Sequence, residues 1–146
     1  MTSFTENQLL HLNGNIFEQI QNSEVGINLP EGWVRGTYLW MVDDDEFVGE
    51  VCIRHTLTNA LAKFGGNIGY GVRYSRWNEG IATKMLFFAL EYAKQNLYLN
   101  KSLITCSDDN FAFARVIEKN GGTIQEVIEN VINGNKRMTK RYWIKL

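Results

Sequence analysis

Residues Gly65 to Leu90, GGNIGYGVRYSRWNEGIATKMLFFAL, constrain this chain more than any other stretch. The hydrophobic period changes within them. From Asn67 to Val72, the apolar positions Ile68, Tyr70 and Val72 alternate, as on a strand with one buried face. From Ile81 onward, Ile81, Met85, Ala89 and Ala93 recur every fourth residue, as along one buried stripe of a helix. Arg73 to Glu79 form the turn between them, and Gly80 marks the helix entry.

A helix N-terminus presents unpaired backbone N–H groups and a partial positive charge, which together receive phosphate. Gly80 and Ala82 are small, so a bulky anion can approach the backbone closely. Between residues 73 and 84 the charges are Arg73, Arg76 and Lys84 against Glu79, a basic island in a chain of net charge −1. The segment therefore suits a polyanionic small molecule. Two other phosphate motifs fail on spacing. Gly69-Tyr70-Gly71 starts like a dinucleotide fingerprint, but Tyr74 stands at the third glycine, and no P-loop Gly-Lys-Ser/Thr occurs.

With 146 residues the chain fits one domain, 1–146, with room for a real core. Its apolar content of 45% and charged content of 21% are ordinary for a soluble protein. A pI near 6.1 argues against a general nucleic-acid binder. No apolar run reaches 18 residues, so no membrane partner is expected. MTSFTENQLLHLNG lacks the basic start and apolar core of a secretory leader, and a cytoplasmic setting is expected. Cys52, Cys106, His11 and His55 form no metal-ligand spacing, so no metal is expected.

Before the central unit, Phe4 to Leu12 and Ile16 to Ile20 read as short helices, and Gly26 to Gly32, with Pro30, as a loop. Val34 to Val42 and Phe47 to Arg54 read as a hairpin across the turn Asp43-Asp44-Asp45, with Phe47, Gly49, Val51 and Ile53 on one face. Thr56 to Phe64 has helical spacing. After the long helix, Lys101 to Ser107 reads as a strand in a parallel crossover. Asp109 to Gly122 reads as a second helix, capped by Asp108 or Asp109 and ended by Asn120-Gly121-Gly122. Thr123 to Ile132 and the segment beyond Asn133-Gly134 read as a strand pair, the first strand irregular. Lys136, Arg137, Lys140 and Arg141 make that hairpin basic, as a solvated guard on a sheet edge.

The sequence resembles the GNAT superfamily of acetyl-CoA-dependent N-acetyltransferases in two places. The first is the strand, turn and Gly80-Ile81-Ala82 helix start, which is similar to the tail of the family's acetyl-CoA motif. At the head of that motif, where the family has Gln or Arg, this chain has Trp77, with Arg76 one residue early. The second is Asn110, Lys119 and Gly121, which fit a helix pattern of the family. Within that pattern Phe113 stands at an Ala/Ser position and Ile117 at the position of a Tyr that protonates the departing thiolate. The resemblance covers about residues 34 to 146.

It implies an α/β (α+β) fold: a mixed, mostly antiparallel sheet flanked by helices, in which the two strands flanking the long helix splay apart and admit the pantetheine arm, here with no readable first strand. An uncovered edge of that kind invites a second copy of the chain, a homodimer. The resemblance also implies acetyl-CoA as cosubstrate. Its sites would be Tyr70, Gly71, Val72, Trp77, Asn78, Glu79, Gly80, Ile81, Ala82 and Thr83, with Asn110 and Phe113 along the pantetheine arm. A small-molecule or peptide amine would attack the thioester directly, with strand N–H groups near Tyr70 to Val72 as the oxyanion site. The family often draws its base from a carboxylate on the central strand, which has none here. Glu50, His55 and Tyr70 are the catalytic candidates. Two other readings stand beside this one. The first is a CoA-binding or protein-interaction module that keeps the fold and has lost the chemistry. The second is a hydrolase using His55, for which no Gly-x-Ser-x-Gly elbow exists.

Overall fold

The computed structural model describes residues 16–146. The helix read over Phe4 to Leu12 lies outside them. The first described element is α1, Ile16–Val25. It runs past the expected Ile20, because no breaker intervenes before Gly26, whose φ is 82°.

Strands β1 (Gly36–Asp43) and β2 (Glu46–Arg54) form the expected antiparallel hairpin. Asp44 and Asp45 close it with φ of 45° and 66°, a backbone state that Asp tolerates better than most residues. The register slips once: Met41 faces Gly49 but Val42 faces Phe47, which leaves Val48 as the extra residue of a bulge. That slip corrects the expected face of Phe47. Val48 takes the buried place, and the Phe47 ring packs edge-on against Trp40 at 5.6 Å on the other side of the sheet. Only the end of Thr56 to Phe64 is helical, and it closes as a π turn, Leu61–Gly65. Arg54 donates to the carbonyls of Gly65 and Gly66, and Arg141 to that of Ala62, which holds the turn in place.

Strand β3, Ile68–Val72, pairs antiparallel with β2. Helix α2, Ile81–Asn96, buries Met85, Leu86, Ala89, Leu90 and Ala93. It sits so close to the sheet that a Cβ on Gly49 would lie 2.8 Å from the Met85 sulfur. Strand β4 (Lys101–Ser107), helix α3 (Phe111–Lys119) and strands β5 (Thr123–Ile132) and β6 (Asn135–Lys145) complete the chain. Asn133 and Gly134 make the two-residue turn with φ of 51° and 78°, and β5 carries the expected irregularity between Ile124 and Glu126. The cap of α3 is Asn110 and not an aspartate: its Oδ1 accepts from the Phe113 N–H at 3.1 Å. Asp108 and Asp109 lie too early to reach that N–H, since the cap bonds two or three residues ahead.

The described strands form two three-stranded antiparallel sheets, β1-β2-β3 and β4-β6-β5. Strands β3 and β4, which flank α2, part in a split, as the family resemblance implies. The two strands meet only where β3 begins. There the Asn67 N–H donates to the Leu103 carbonyl at 2.7 Å, and Gly66 bridges to Ile104. Gly66 has φ 68°, and a Cβ on it would lie 2.5 Å from the Leu103 oxygen, so only glycine fits this junction. Asn67 is almost fully buried, and its side chain ties three strands together. Its Oδ1 accepts from Leu103 N at 2.9 Å, its Nδ2 donates to the Arg54 carbonyl at 3.2 Å, and its own carbonyl accepts from Arg54 N. One core spans both sheets, with Ile53, Ile68, Leu86, Ile104, Ile117 and Tyr142 among its buried members.

Candidate active site

Beyond Asn67 the strands part, and the edge of β3 that faces the gap keeps its backbone groups. Arg54 N–H donates to Asn67 O, and Arg73 N–H donates to Val48 O. Odd-numbered residues therefore bond to β2. In an antiparallel ladder the even-numbered ones, Ile68, Tyr70 and Val72, then turn their N–H and C=O groups away from it, into the split. The Val72 carbonyl is already occupied: the Trp77 indole donates to it at 2.8 Å. Trp77 thus fastens the loop after β3 to the strand end, a different task from the Gln or Arg of the family motif.

That loop makes one 3₁₀ turn, Tyr74–Arg76, then passes through Asn78 and Gly80 at φ of 64° and 74°. A Cβ on Gly80 would meet no atom within 4 Å. None of the backbone N–H groups from Asn78 to Thr83 donates to an acceptor among the described residues. These donors, the α2 dipole and the bare glycine together suit a phosphate group. The basic island read from the sequence does not survive folding. Arg76 binds Asp43 at 2.8 Å, Glu79 at 2.6 Å and Glu46 at 3.5 Å, and Arg73 binds Glu46 at 2.6 Å. The hydrogen bond to Asp43, then that to Glu79, raises the Arg76 pKa further. Attraction for an anion rests here on the backbone and on Lys84, which pairs with no carboxylate among the described residues.

On one face of the β2–β3 pair, Tyr70 stacks on Phe113 of α3, with centroids 4.2 Å apart and planes 9° from parallel. The stack joins β3 to α3. The Tyr70 hydroxyl is buried without a hydrogen-bond partner. Burial raises its pKa, with the nearby Cys106 adding to the shift, so it holds its proton at neutral pH. Ile117 is fully buried one turn along from Phe113. The oxygen of Asn110 is engaged in capping.

Glu50 lies on the opposite face, in register with Gly71. Its Oε2 accepts from the Trp40 indole at 2.7 Å. Burial raises its pKa, and the indole bond partly offsets that rise. Beside it the Tyr38 pKa is pushed up to about 12, first by burial and then by Cys52. Glu50 and Tyr38 line two adjoining cavities beneath α1, of about 520 and 380 Å³. The sequence reading missed Tyr38 and Trp33. An aromatic residue two places from Trp40 on a strand carried the only signal, and it did not reveal which face would be hollow.

His55 stands apart from both. It follows the end of β2, its Nε2 lies 2.7 Å from Thr37 Oγ1, and its N–H donates to Arg35 O. Burial lowers its pKa. Five residues of strand separate it from Glu50, about 16 Å of extended backbone. Among the described residues no cluster of His, Cys, Asp and Glu is placed to hold a metal ion. No described helix is long and apolar enough to cross a membrane.

The family model for the acetyltransferase (GNAT) domain matches residues 16–123. The chain belongs to the GNAT acetyltransferase family. A search of curated proteins finds no match. Among solved structures, spermidine N-acetyltransferase SpeG from Vibrio cholerae (an F149A mutant) aligns with TM-score 0.66 at 19% identity. The alignment covers 88% of this chain and 73% of that one. RimL, a ribosomal L7/L12 alpha-N-protein acetyltransferase in complex with coenzyme A, aligns with TM-score 0.64 at 20% identity, over 97% and 72%. Mycobacterium smegmatis RimJ in complex with CoA-disulfide aligns with TM-score 0.64 at 25% identity, over 75% and 53%. These GNAT neighbours share the expected α/β fold of antiparallel sheets flanked by helices.

Proposed function

We propose that this GNAT domain transfers the acetyl group of acetyl-CoA to a primary amine by direct attack within a ternary complex. The observation that supports it is the split beside β3, which leaves backbone donors facing a gap next to Glu50 on the neighbouring strand. The pyrophosphate would rest on the N–H groups of Asn78 to Thr83. The pantetheine would follow β3 through the split, with Asn110 and Phe113 across from it. The N–H groups of Tyr70 and Val72 would polarise the thioester oxygen, the most productive place for preorganised donors.

An alkyl ammonium must lose a proton before it attacks. Glu50 accepts that proton, the C–N bond forms and the C–S bond breaks. The thiolate then takes a proton from the Tyr70 hydroxyl or from water. A tyrosine that holds its proton above the usual range suits a donor, not a base. His55 is too remote along β2 to share the step. The setting we infer is cytoplasmic.

Calorimetric titration with acetyl-CoA is the first test, with ATP and NAD as controls. A dissociation constant of about micromolar, roughly −8 kcal/mol, supports the reading. No binding at millimolar concentration would sink it. Binding with no turnover on any amine would favour a CoA-binding module without chemistry.

A further inference from the structure

The cavities beside Glu50 differ in lining in a way that bears on the acceptor, an inference that rests on the acetyl-transfer reading above. The larger one, about 520 Å³, has an apolar wall of Ile16, Ile20, Ile27, Leu29 and Trp33, with uncharged polar side chains such as Asn22 and Asn28 in the rest of its lining. Its charged groups among the described residues are two carboxylates, Glu18 and Glu50. Trp33 and Ile27 are more than half exposed at its rim, unusual for side chains of that size. Arg54 lines only the smaller cavity, where its Nη1 is already bonded to two backbone carbonyls.

From this lining we propose that the acceptor is a single amine carried on a bulky apolar body, with no carboxylate near the amine. The ammonium is drawn to Glu50, and the body displaces water from the isoleucine and tryptophan wall. Free α-amino acids fit badly. Their carboxylate sits a few ångströms from the amine, whereas Glu50 and Arg54 are four strand residues apart, about 13 Å. The carboxylate would instead face Glu50. Polyamines fit less well, because only Glu18, exposed on α1, is left to meet a second ammonium, and a third would be stripped of water against the apolar wall. The same chemistry is offered by a small arylalkylamine and by the N-terminus of a peptide that begins with a large apolar residue.

The test measures CoA thiol release from acetyl-CoA by the intact protein. The acceptors are phenethylamine, a phenylalanine-initiated tripeptide amide, free phenylalanine and spermidine. The expected result is that one of the first two exceeds both of the others in kcat/KM by about tenfold or more, the size of discrimination an apolar pocket gives. Which of the two leads distinguishes the small amine from the peptide source. Spermidine or free phenylalanine as the best acceptor would overturn the inference and leave acetyl transfer intact. Turnover with none of them, despite acetyl-CoA binding, would overturn acetyl transfer and the inference with it. The variant Ile20→Asp provides a second readout. It should raise KM for the preferred acceptor several-fold and leave acetyl-CoA affinity unchanged by calorimetry. An unchanged KM would remove the isoleucine wall from acceptor recognition.

Discussion

The two faces of the β2–β3 pair are built on opposite principles. On the face toward α2 and α3 the side chains are apolar and closely packed, and Tyr70 alone brings a polar atom without a partner. On the face toward α1 the side chains are titratable and surround open space, with Glu50 and Cys52 of β2 beside Tyr38 of the adjoining β1. In the proposed reading the first face would leave the chemistry of the cofactor to the backbone, because Tyr70 and Val72 keep N–H groups that packing cannot remove. In the same reading the second face would leave the acceptor to side chains. Both depend on the split remaining open at one end and closed at the other, which is the work of Gly66 and Asn67.

The largest effect should come from breaking that closed end. Asn67→Leu removes the acceptor of Leu103 N, in buried surroundings, and a donor to Arg54 O, in partly buried ones. Each orphaned group costs about 1–3 kcal/mol, so a loss on the order of 3 kcal/mol is expected. In thermal unfolding that corresponds to a drop of about 10 °C. A drop of only a degree or two would show that the sheets are held together by the core alone.

Glu50→Gln attacks the α1 face without disturbing the other. Loss of a general base typically lowers rate by about 10²–10⁴-fold. We expect kcat to fall by at least the lower figure, with acetyl-CoA affinity unchanged by calorimetry. An equal loss in both quantities would mean that Glu50 supports the strand and not the reaction. His55→Ala is the paired control, and its kcat should stay within about twofold, since a site that remote offers no proton transfer.

Much of this division was legible in the sequence and part was not. Strand β4 and the β5–β6 hairpin follow local signals, above all Asn133-Gly134. The α2 stripe follows from its four-residue repeat. The face of Phe47 was lost to a bulge, which no alternation pattern announces. The charge of the loop after β3 was misjudged because its partners, Asp43 and Glu46, are some 30 residues away in the chain and meet Arg73 and Arg76 only across the β1–β2 turn. The role of Asn67 was hidden for the same reason, since it bonds to groups of Arg54 and Leu103 that the fold alone brings near. Trp77 reaches only as far back as Val72, but an indole carries no local mark of that use. The hollow beneath α1 is a property of packing and has no sequence signature of its own.

On the packed face, Tyr70→Phe should separate stability from chemistry. The hydroxyl is buried without a partner, so its removal should stabilise the fold by about 1 kcal/mol, a few degrees in melting temperature. If the same hydroxyl protonates the leaving thiolate, kcat should drop even as stability rises, and the alkaline limb of the rate profile should change. Higher stability with unchanged kcat would assign that proton to water.

The smallest effect concerns the acid limb of the rate, and it sharpens the assignment of Glu50. Burial raises the pKa of this carboxyl, so the limb should lie above the ordinary carboxylate range, with activity rising as the proton leaves. The Trp40 indole donates to the ionised form and so works against that rise. Trp40→Phe keeps an aromatic ring and removes the donor. With the carboxylate less stabilised, the pKa should climb and the limb should move to higher pH by a fraction of a unit to about one unit. Folding then disfavours the ionised group more strongly. Relative to the parent, the variant should lose stability as pH rises from the usual carboxylate range through its raised pKa. A limb that stays in place in Trp40→Phe and also persists in Glu50→Gln would belong to another group, and the α1 face would lose its base.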